Sequence, residues 1–226
     1  MAKPDGQLGE RHPGQVLSSL AESGVPLTQG VATFEKSVSV SNLVDECAAA
    51  FRFDQDIAWR SIAMAIYRPH PTSWTAHHGE VVSFDRITKE LLRHTRSRGS
   101  DEWSCWGTHA LYTLAIFQQV NAQVGLWQDD SLEDSVQDAL HSAAMRLETT
   151  LRSDGSWDEH WSLPGISRSI LNSERRLLIT GHHLEWLVLM RPEQRPTDSV
   201  LLLASEFVVR ETEKLSVDER VDKICA

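Results

Sequence analysis

The sequence predicts an all-α fold built from repeated helical hairpins. Apolar residues recur at helical spacing in seven segments after residue 40, and related short segments recur along the chain. No segment shows the sustained alternation of apolar and polar residues that is typical of a half-buried strand. We therefore expect a mainly helical protein with no long strand and less than about one-tenth of its residues in strands.

Composition narrows the class of protein. The 226 residues are 41% hydrophobic, enough for a core, and the net charge is -10. Nucleic-acid affinity comes largely from Lys and Arg that neutralise phosphates, so no nucleic-acid partner is expected. No stretch is apolar enough to span a membrane, and residues 1–14 lack the apolar centre of a secretory signal. Cys47, Cys105 and Cys225 form no disulfide framework, which favours a reducing, cytoplasmic location.

The chain order suggests a leader followed by one helical domain. Residues 1–40 form a polar leader with a short helix at residues 15–23, and residues 33–41 favour a loop or a short extended piece. The helical domain is predicted to cover residues 41–226. Ser131 and Asp134 make a capping-box pattern at the start of its clearest helix. Its predicted helices lie at about residues 41–51, 56–68, 84–94, 108–120, 131–151, 177–190 and 197–214.

An internal repeat links two of the most apolar helices. The segment from Gly107 can be laid on the segment from Thr180, which places His109 on His182. A fainter match upstream places Trp59 where His109 stands. More amphipathic helices precede these apolar ones. This alternation is typical of two concentric layers, because inner helices contact protein on most sides and outer helices show one face to water.

A four-residue motif, Asp154-Gly155-Ser156-Trp157, is predicted to form the turn between an outer and an inner helix. Glycine permits a positive φ there, and the Asp and Ser side chains can bind free amides of the turn. We expect Trp157 to be a buried structural residue that packs across the hairpin.

This motif and the layered repeat resemble the α/α-toroid superfamily. That group includes terpenoid and squalene cyclases, protein prenyltransferase β subunits, and helical-barrel polysaccharide lyases and hydrolases. The resemblance covers about residues 42–215. The Asp-Gly-Ser-Trp motif is similar to the Gln-Trp repeat of the cyclases, but Leu151 stands where the Gln is expected, and no Asp-Xaa-Asp-Asp acid motif is present. The resemblance therefore implies a toroid, closed or partial, without implying an activity.

Histidines near the predicted starts of inner helices are the main candidate site residues. In a toroid the N-termini of inner helices border the central cavity, and the positive end of a helix dipole disfavours imidazolium. His109, His182 and His183 could each act as a base, a ligand or a hydrogen-bonding cap, or could merely bind loop carbonyls. Glu185, in an apolar run, is either an inward general acid or a partner of Arg175 or Arg176.

We take His109, His182 and Glu185 as candidate catalytic residues. The cavity wall is expected to include Trp59, Trp106, Tyr112, His183 and Trp186. The protein prenyltransferases bind zinc through Asp, Cys and His, so the resemblance also suggests an open zinc site at Cys105, His109 and His182. Because Cys105 has no matching acidic context or paired cysteine, no metal or cofactor is expected.

The sequence favours a toroid that binds a small molecule or a protein through a cavity lined by Trp and His, and leaves open whether it is an enzyme. One alternative is a carbohydrate-active hydrolase or lyase that uses Glu and His for acid–base chemistry. Another is a terpenoid- or prenyl-processing enzyme. The last predicted helix, residues 197–214, is apolar around most of its surface. We therefore expect self-association through this helix, unless the chain is part of a longer protein.

Overall fold

The computed structural model describes residues 12–32, 37–96, 107–162 and 173–215. These residues form eight α-helices, one short 3-10 helix and two pairs of short strands, so the fold is mainly helical, as predicted. Among the described residues, no helix is both long and apolar enough to cross a membrane. In chain order, the elements of the described residues are α1 Gln15–Glu22, β1 Gly30–Ala32, β2 Ser37–Ser39, α2 Val40–Ala49, α3 Ala58–Tyr67, β3 Ser73–Thr75, β4 Val81–Ser83, α4 Phe84–Arg96, α5 Thr108–Val124, α6 Ser131–Thr150, α7 Ser173–Leu189, the 3-10 helix Pro192–Gln194 and α8 Asp198–Glu213.

The chain divides into two compact units. Unit 1 contains Met1–Leu91 and Ile116–Glu133, and unit 2 contains Leu92–Ala115 and Asp134–Ala226.

Unit 1 holds α1, α2, α3 and both strand pairs. α1 packs on α3 so closely that a Cβ atom at Gly14, which has a φ of +85°, would lie 2.8 Å from Cγ of Arg60. α2 begins with a capping box in which the Ser39 and Asn42 side chains each accept a hydrogen bond from the other's backbone amide. Such reciprocal bonds satisfy amides that the first helical turn leaves free. The first turn of α2 is thus fixed by local side chains.

The strands among the described residues are few and short, as the sequence predicts. β1 pairs antiparallel with β2, and β3 pairs antiparallel with β4. Each strand has only three residues, too few to produce a detectable alternation. Trp74 in β3 donates its indole N–H to the carbonyl of Ala48 at 3.0 Å and packs edge-on against Phe51 and Phe84. The β3–β4 hairpin therefore contributes an aromatic side chain to the core of unit 1.

Two aspartates, Asp85 and Asp129, hold the segment that leads into α6. The amide and the hydroxyl of Ser131 both donate to Asp129. Bonds from Lys89 and Ser131 lower the pKa of Asp129 to about 2. Asp85, in the first turn of α4, accepts the amides of Gln128 and Asp129. This part of unit 1 is therefore fixed by carboxylates that bind free backbone amides.

In unit 2, α7 packs against α8, and Arg195 binds the end of α7. Its guanidinium donates to the carbonyls of Met190 and Val188 at 2.8 and 2.6 Å. These carbonyls lack partners within the helix, and a cation near a helix C-terminus is favourable. The connection between α7 and α8 is therefore stabilised by the hydrogen bonds of the Arg195 guanidinium as well as by its 3-10 turn.

α8 buries one face and exposes another. Val200, Ala204 and Phe207 are buried, whereas Leu202 and Val209 are exposed. We expect the protein to self-associate through the exposed apolar side chains, because their burial removes apolar area from water. Sedimentation at tens of micromolar tests this. The double variant Leu202→Lys/Val209→Lys should shift the protein to a monomer.

The charge control for this prediction is Gln123→Lys, at an exposed position of α5. It adds a positive charge on a different helix and should leave self-association unchanged. A stable wild-type monomer that binds no hydrophobic dye would contradict the prediction.

Candidate functional site

Two histidines from different helices lie side by side in unit 2. His109 is the second residue of α5, and His182 lies in α7. Their ring centroids are 5.3 Å apart and their planes are nearly perpendicular, at 82°. His109 is only 5% exposed. Of the candidates taken from the sequence, these two are therefore brought together.

The helix boundaries differ from the prediction that these histidines lie at the starts of helices. α7 begins at Ser173, so His182 and His183 lie in the middle of the helix and not at its N-terminus. The positive end of the helix dipole acts only within the first turn, so it does not act on these two rings. His109 does lie in a first turn. Trp59, which the repeat matched to His109, is likewise the second residue of its helix, α3.

Glu185 binds His182 and points toward solvent. Its carboxylate lies 2.9 Å from Nδ1 of His182, one turn earlier in α7. The Glu185 side chain is 51% exposed and that of His182 is 14% exposed. The carboxylate therefore has access to water and is not buried among the apolar residues that flank it in the sequence.

The arginines suggested as partners of Glu185 instead hold the Asp154–Trp157 turn and its continuation. Arg176 pairs with Asp154, and Arg175 pairs with Glu159 at 3.1 Å. Both arginines precede His182 in α7 and anchor the loop that follows α6. This loop is therefore tied to the helix that carries the candidate site.

Trp157 is fully buried and fully hydrogen-bonded, which confirms its predicted structural role. Its indole N–H donates to the carbonyl of Leu147 at 2.9 Å, and its amide donates to the hydroxyl of Thr180 at 3.0 Å. Because Leu147 is in α6 and Thr180 is in α7, Trp157 joins two helices of unit 2 through the turn.

His183 is fully buried and is surrounded by indole rings. Trp186 donates its N–H to Nδ1 of His183 at 3.1 Å. The rings of Trp157, Trp161 and Trp186 lie 5.5, 4.7 and 6.1 Å from the His183 ring. Burial, with a smaller effect from the charge of His182, holds the pKa of His183 well below its ordinary value of 6.5. His183 is therefore neutral at physiological pH.

The lowered pKa of His183 predicts that folding stability falls in mild acid. The unfolded chain binds a proton near pH 6.5, whereas the folded chain resists it, so stability is complete above pH 6.5 and is lost as the pH falls below it. One such group changes the free energy of unfolding by up to about 1.4 kcal/mol per pH unit. Urea unfolding between pH 7.5 and 5.5 measures this slope.

The matched variants for the acid effect are His183→Gln and His141→Ala. The first should flatten the slope, because glutamine does not titrate. The second removes an exposed histidine of α6 and should keep the wild-type slope. Equal slopes in all three proteins would assign the acid loss to other groups.

The other residues predicted to line a cavity are placed one by one. Trp59 is buried in unit 1, Trp186 is buried in unit 2, and Tyr112 is half-buried. Trp106 and Cys105 lie outside the described residues, so only two ligands of the suggested zinc set can be placed.

Sequence reasoning missed two hydrogen bonds that a spacing rule could have found. His182 and Glu185, and likewise His183 and Trp186, are three residues apart, which places each pair on one face of a helix. Comparison with protein-family models, with curated proteins and with solved structures finds no match to this chain. The candidate site is therefore supported by its geometry alone.

Proposed function

We propose that the protein binds a small ligand in unit 2 through the paired imidazoles of His109 and His182 and the carboxylate of Glu185. We call these three residues the dyad site, after the two histidines. The observation that carries this proposal is the meeting of two imidazoles from different helices, one of which also binds a partly exposed carboxylate. Convergent polar groups backed by buried aromatic residues are typical of ligand sites. His183 and Trp186 supply that aromatic backing.

The contacts favour polar recognition over stacking on tryptophan. A ring that binds a sugar face must expose its own face. The six tryptophans among the described residues are all buried or half-buried: Trp59, Trp74, Trp127, Trp157, Trp161 and Trp186. The imidazoles and the carboxylate therefore supply the ligand contacts in this proposal, and the indoles support them from behind.

An α/α toroid, closed or partial, is the fold that we propose for this site. Seven of the described helices, α2 to α8, follow residue 39, and the Asp154–Trp157 turn packs between helices as hairpin turns of such a fold do. An experimental structure of the full chain tests the arrangement. Alternating inner and outer helices around one axis would support it, and a bundle without that alternation would reject it.

Acid–base catalysis on a carbohydrate is the second candidate function. The hydrogen bond between Glu185 and His182 favours it, because a carboxylate that binds Nδ1 orients the ring of a histidine that acts as an acid or a base. A hydrolase or a lyase could use such a pair. Turnover of a panel of glycosides or uronate-containing polysaccharides that is lost in His182→Gln would favour this function over binding alone.

A fragment screen by ligand-observed NMR tests the binding function. Fragments that bind the wild-type protein should lose binding in His109→Ala and in His182→Ala. They should keep it in His141→Ala, which removes an exposed histidine from α6. Far-ultraviolet circular dichroism of each variant confirms that its helices are intact. Fragments that bind all four proteins equally would reject the dyad site.

A further inference from the structure

A loop of unit 2 forms part of the cover over the buried His183. We propose that residues 151–162, which we call the strap, open away from α7 in mild acid, and that His183 is the group that takes up the proton. This inference does not depend on the proposed ligand. It adds a conformational device to the helix that also carries His182 and Glu185.

The first step is that the strap covers His183, which is fully buried. Trp157 and Trp161 belong to the strap, and their ring centroids lie 5.5 and 4.7 Å from that of His183. The third indole, Trp186, comes from α7 itself and lies at 6.1 Å. Opening of the strap therefore removes two of the three indoles that keep water from this imidazole.

The second step is that the closed pocket disfavours a proton on His183. An indole N–H can only donate, and that of Trp186 donates to Nδ1 of His183 at 3.1 Å. A proton added at Nδ1 would therefore place two N–H groups against each other. Among the described residues, Nε2 of His183 has no hydrogen-bond partner either. A buried charge without partners is costly, so the ring accepts a proton only once water replaces these contacts.

The charged groups of the surrounding elements do not offset this cost. Besides burial, the charge of His182 acts on the pKa of His183, and it also opposes protonation. The carboxylates of the strap are bound by arginines, in the pairs Asp154–Arg176, Glu159–Arg175 and Asp158–Arg152. Elsewhere in the strap, His160 lies 3.7 Å from Glu159, and from α8 the guanidinium of Arg210 donates to the carbonyl of Asp154.

The third step is the size and sign of the effect. Residues 151–162 are all described and contain no helix or strand, and such loops open at a lower free energy than packed helices. In the open form His183 has its ordinary pKa of 6.5, whereas burial holds the pKa of the closed form well below it. Opening therefore becomes more favourable as the pH falls through 6.5, by about tenfold between pH 7.5 and 5.5.

Hydrogen exchange followed by NMR measures this opening. The amide and the indole N–H of Trp157 are bonded to Thr180 in α7 and to Leu147 in α6, so both report contacts that the strap makes with helices. After correction for the intrinsic exchange rate, their opening constant should be about tenfold larger at pH 5.5 than at pH 7.5. It should depend little on added urea, because a loop exposes little surface.

The amide of Leu140, in the buried centre of α6, reports the unfolding of unit 2 and should show a stronger urea dependence. An equal urea dependence at Trp157 and at Leu140 would show that only global unfolding occurs and would overturn the inference. A pH-independent opening constant at Trp157 would overturn it as well.

Two variants assign the proton. His183→Gln should remove the pH response, because glutamine does not titrate and its carbonyl oxygen can accept the Trp186 N–H. The matched control His160→Gln removes the histidine of the strap itself and should keep the tenfold response. Loss of the response in His160→Gln, or its persistence in His183→Gln, would overturn the assignment.

A measurement on the wild-type protein needs no variant. By ¹⁵N NMR at pH 5.5, His183 of the folded protein should be neutral, with its hydrogen on Nε2. Titration of this ring near pH 6.5 without a change in the exchange at Trp157 would overturn the inference.

Discussion

Gly155→Ala should destabilise the protein by about 2–5 kcal/mol. Gly155 has a φ of +87°, a conformation that costs an L-residue about 1–2 kcal/mol. An added Cβ would also overlap the carbonyl oxygen of Leu203 and lie 2.9 Å from its carbonyl carbon. Backbone atoms of a packed helix cannot move aside as a flexible side chain can. Urea unfolding followed by circular dichroism measures the loss.

The control separates backbone strain from overlap. Gly79, in the β3–β4 hairpin, has a φ of +82°, and an added Cβ there would meet no atom within 4 Å. Gly79→Ala should therefore show the cost of the positive φ alone, about 1–2 kcal/mol. Equal losses in the two variants would show that the turn can move away from α8.

Trp157→Ala should destabilise the protein by about 3–5 kcal/mol. The side chain is fully buried, so its removal leaves a large cavity, and the carbonyl of Leu147 loses the indole donor. Equilibrium unfolding in urea measures the change. A loss below about 1 kcal/mol would show that the surrounding helices do not depend on this ring.

Trp157→Phe separates the contribution of packing from the contribution of the indole hydrogen bond. Phenylalanine fills much of the cavity and lacks the N–H, so the remaining loss reports the hydrogen bond and the residual volume. We expect about 1–3 kcal/mol for this variant, clearly less than for the alanine. If both variants lose the same free energy, the hydrogen bond and not the packing dominates at this position.

Most helices could be predicted because their apolar stripes are long. The clearest apolar stripe predicts a helix at residues 131–151, and the structure has α6 at Ser131–Thr150. The start of α7 was missed because Ser173 to Arg176 contains no apolar residue, so the pattern begins only at Leu177. In this first turn the guanidinium of Arg176 binds Asp154 and Ser156, which are tertiary contacts. Local apolar periodicity does not include such contacts.

The dyad site could be predicted only in part. The repeat selected His109 and His182, which do lie together, although the helix positions behind that match were wrong for His182. The exposure of Glu185 could not be predicted from its neighbours Leu184 and Trp186. Neighbours along a helix point about 100° apart, so apolar neighbours in the chain do not bury a side chain. The spacing of three from His182 was the better guide.

The contact between Gly155 and Leu203 also affects how this sequence can evolve. The nearest atoms that an added Cβ would meet are the oxygen and carbon of a peptide group, which every amino acid supplies. Replacement of Leu203 by a smaller residue therefore makes no room for a larger residue at position 155. A suppressor screen on Gly155→Ala should yield few revertants at position 203 and more that shift α8 as a whole. Among related sequences, the two positions should vary independently, even though they touch.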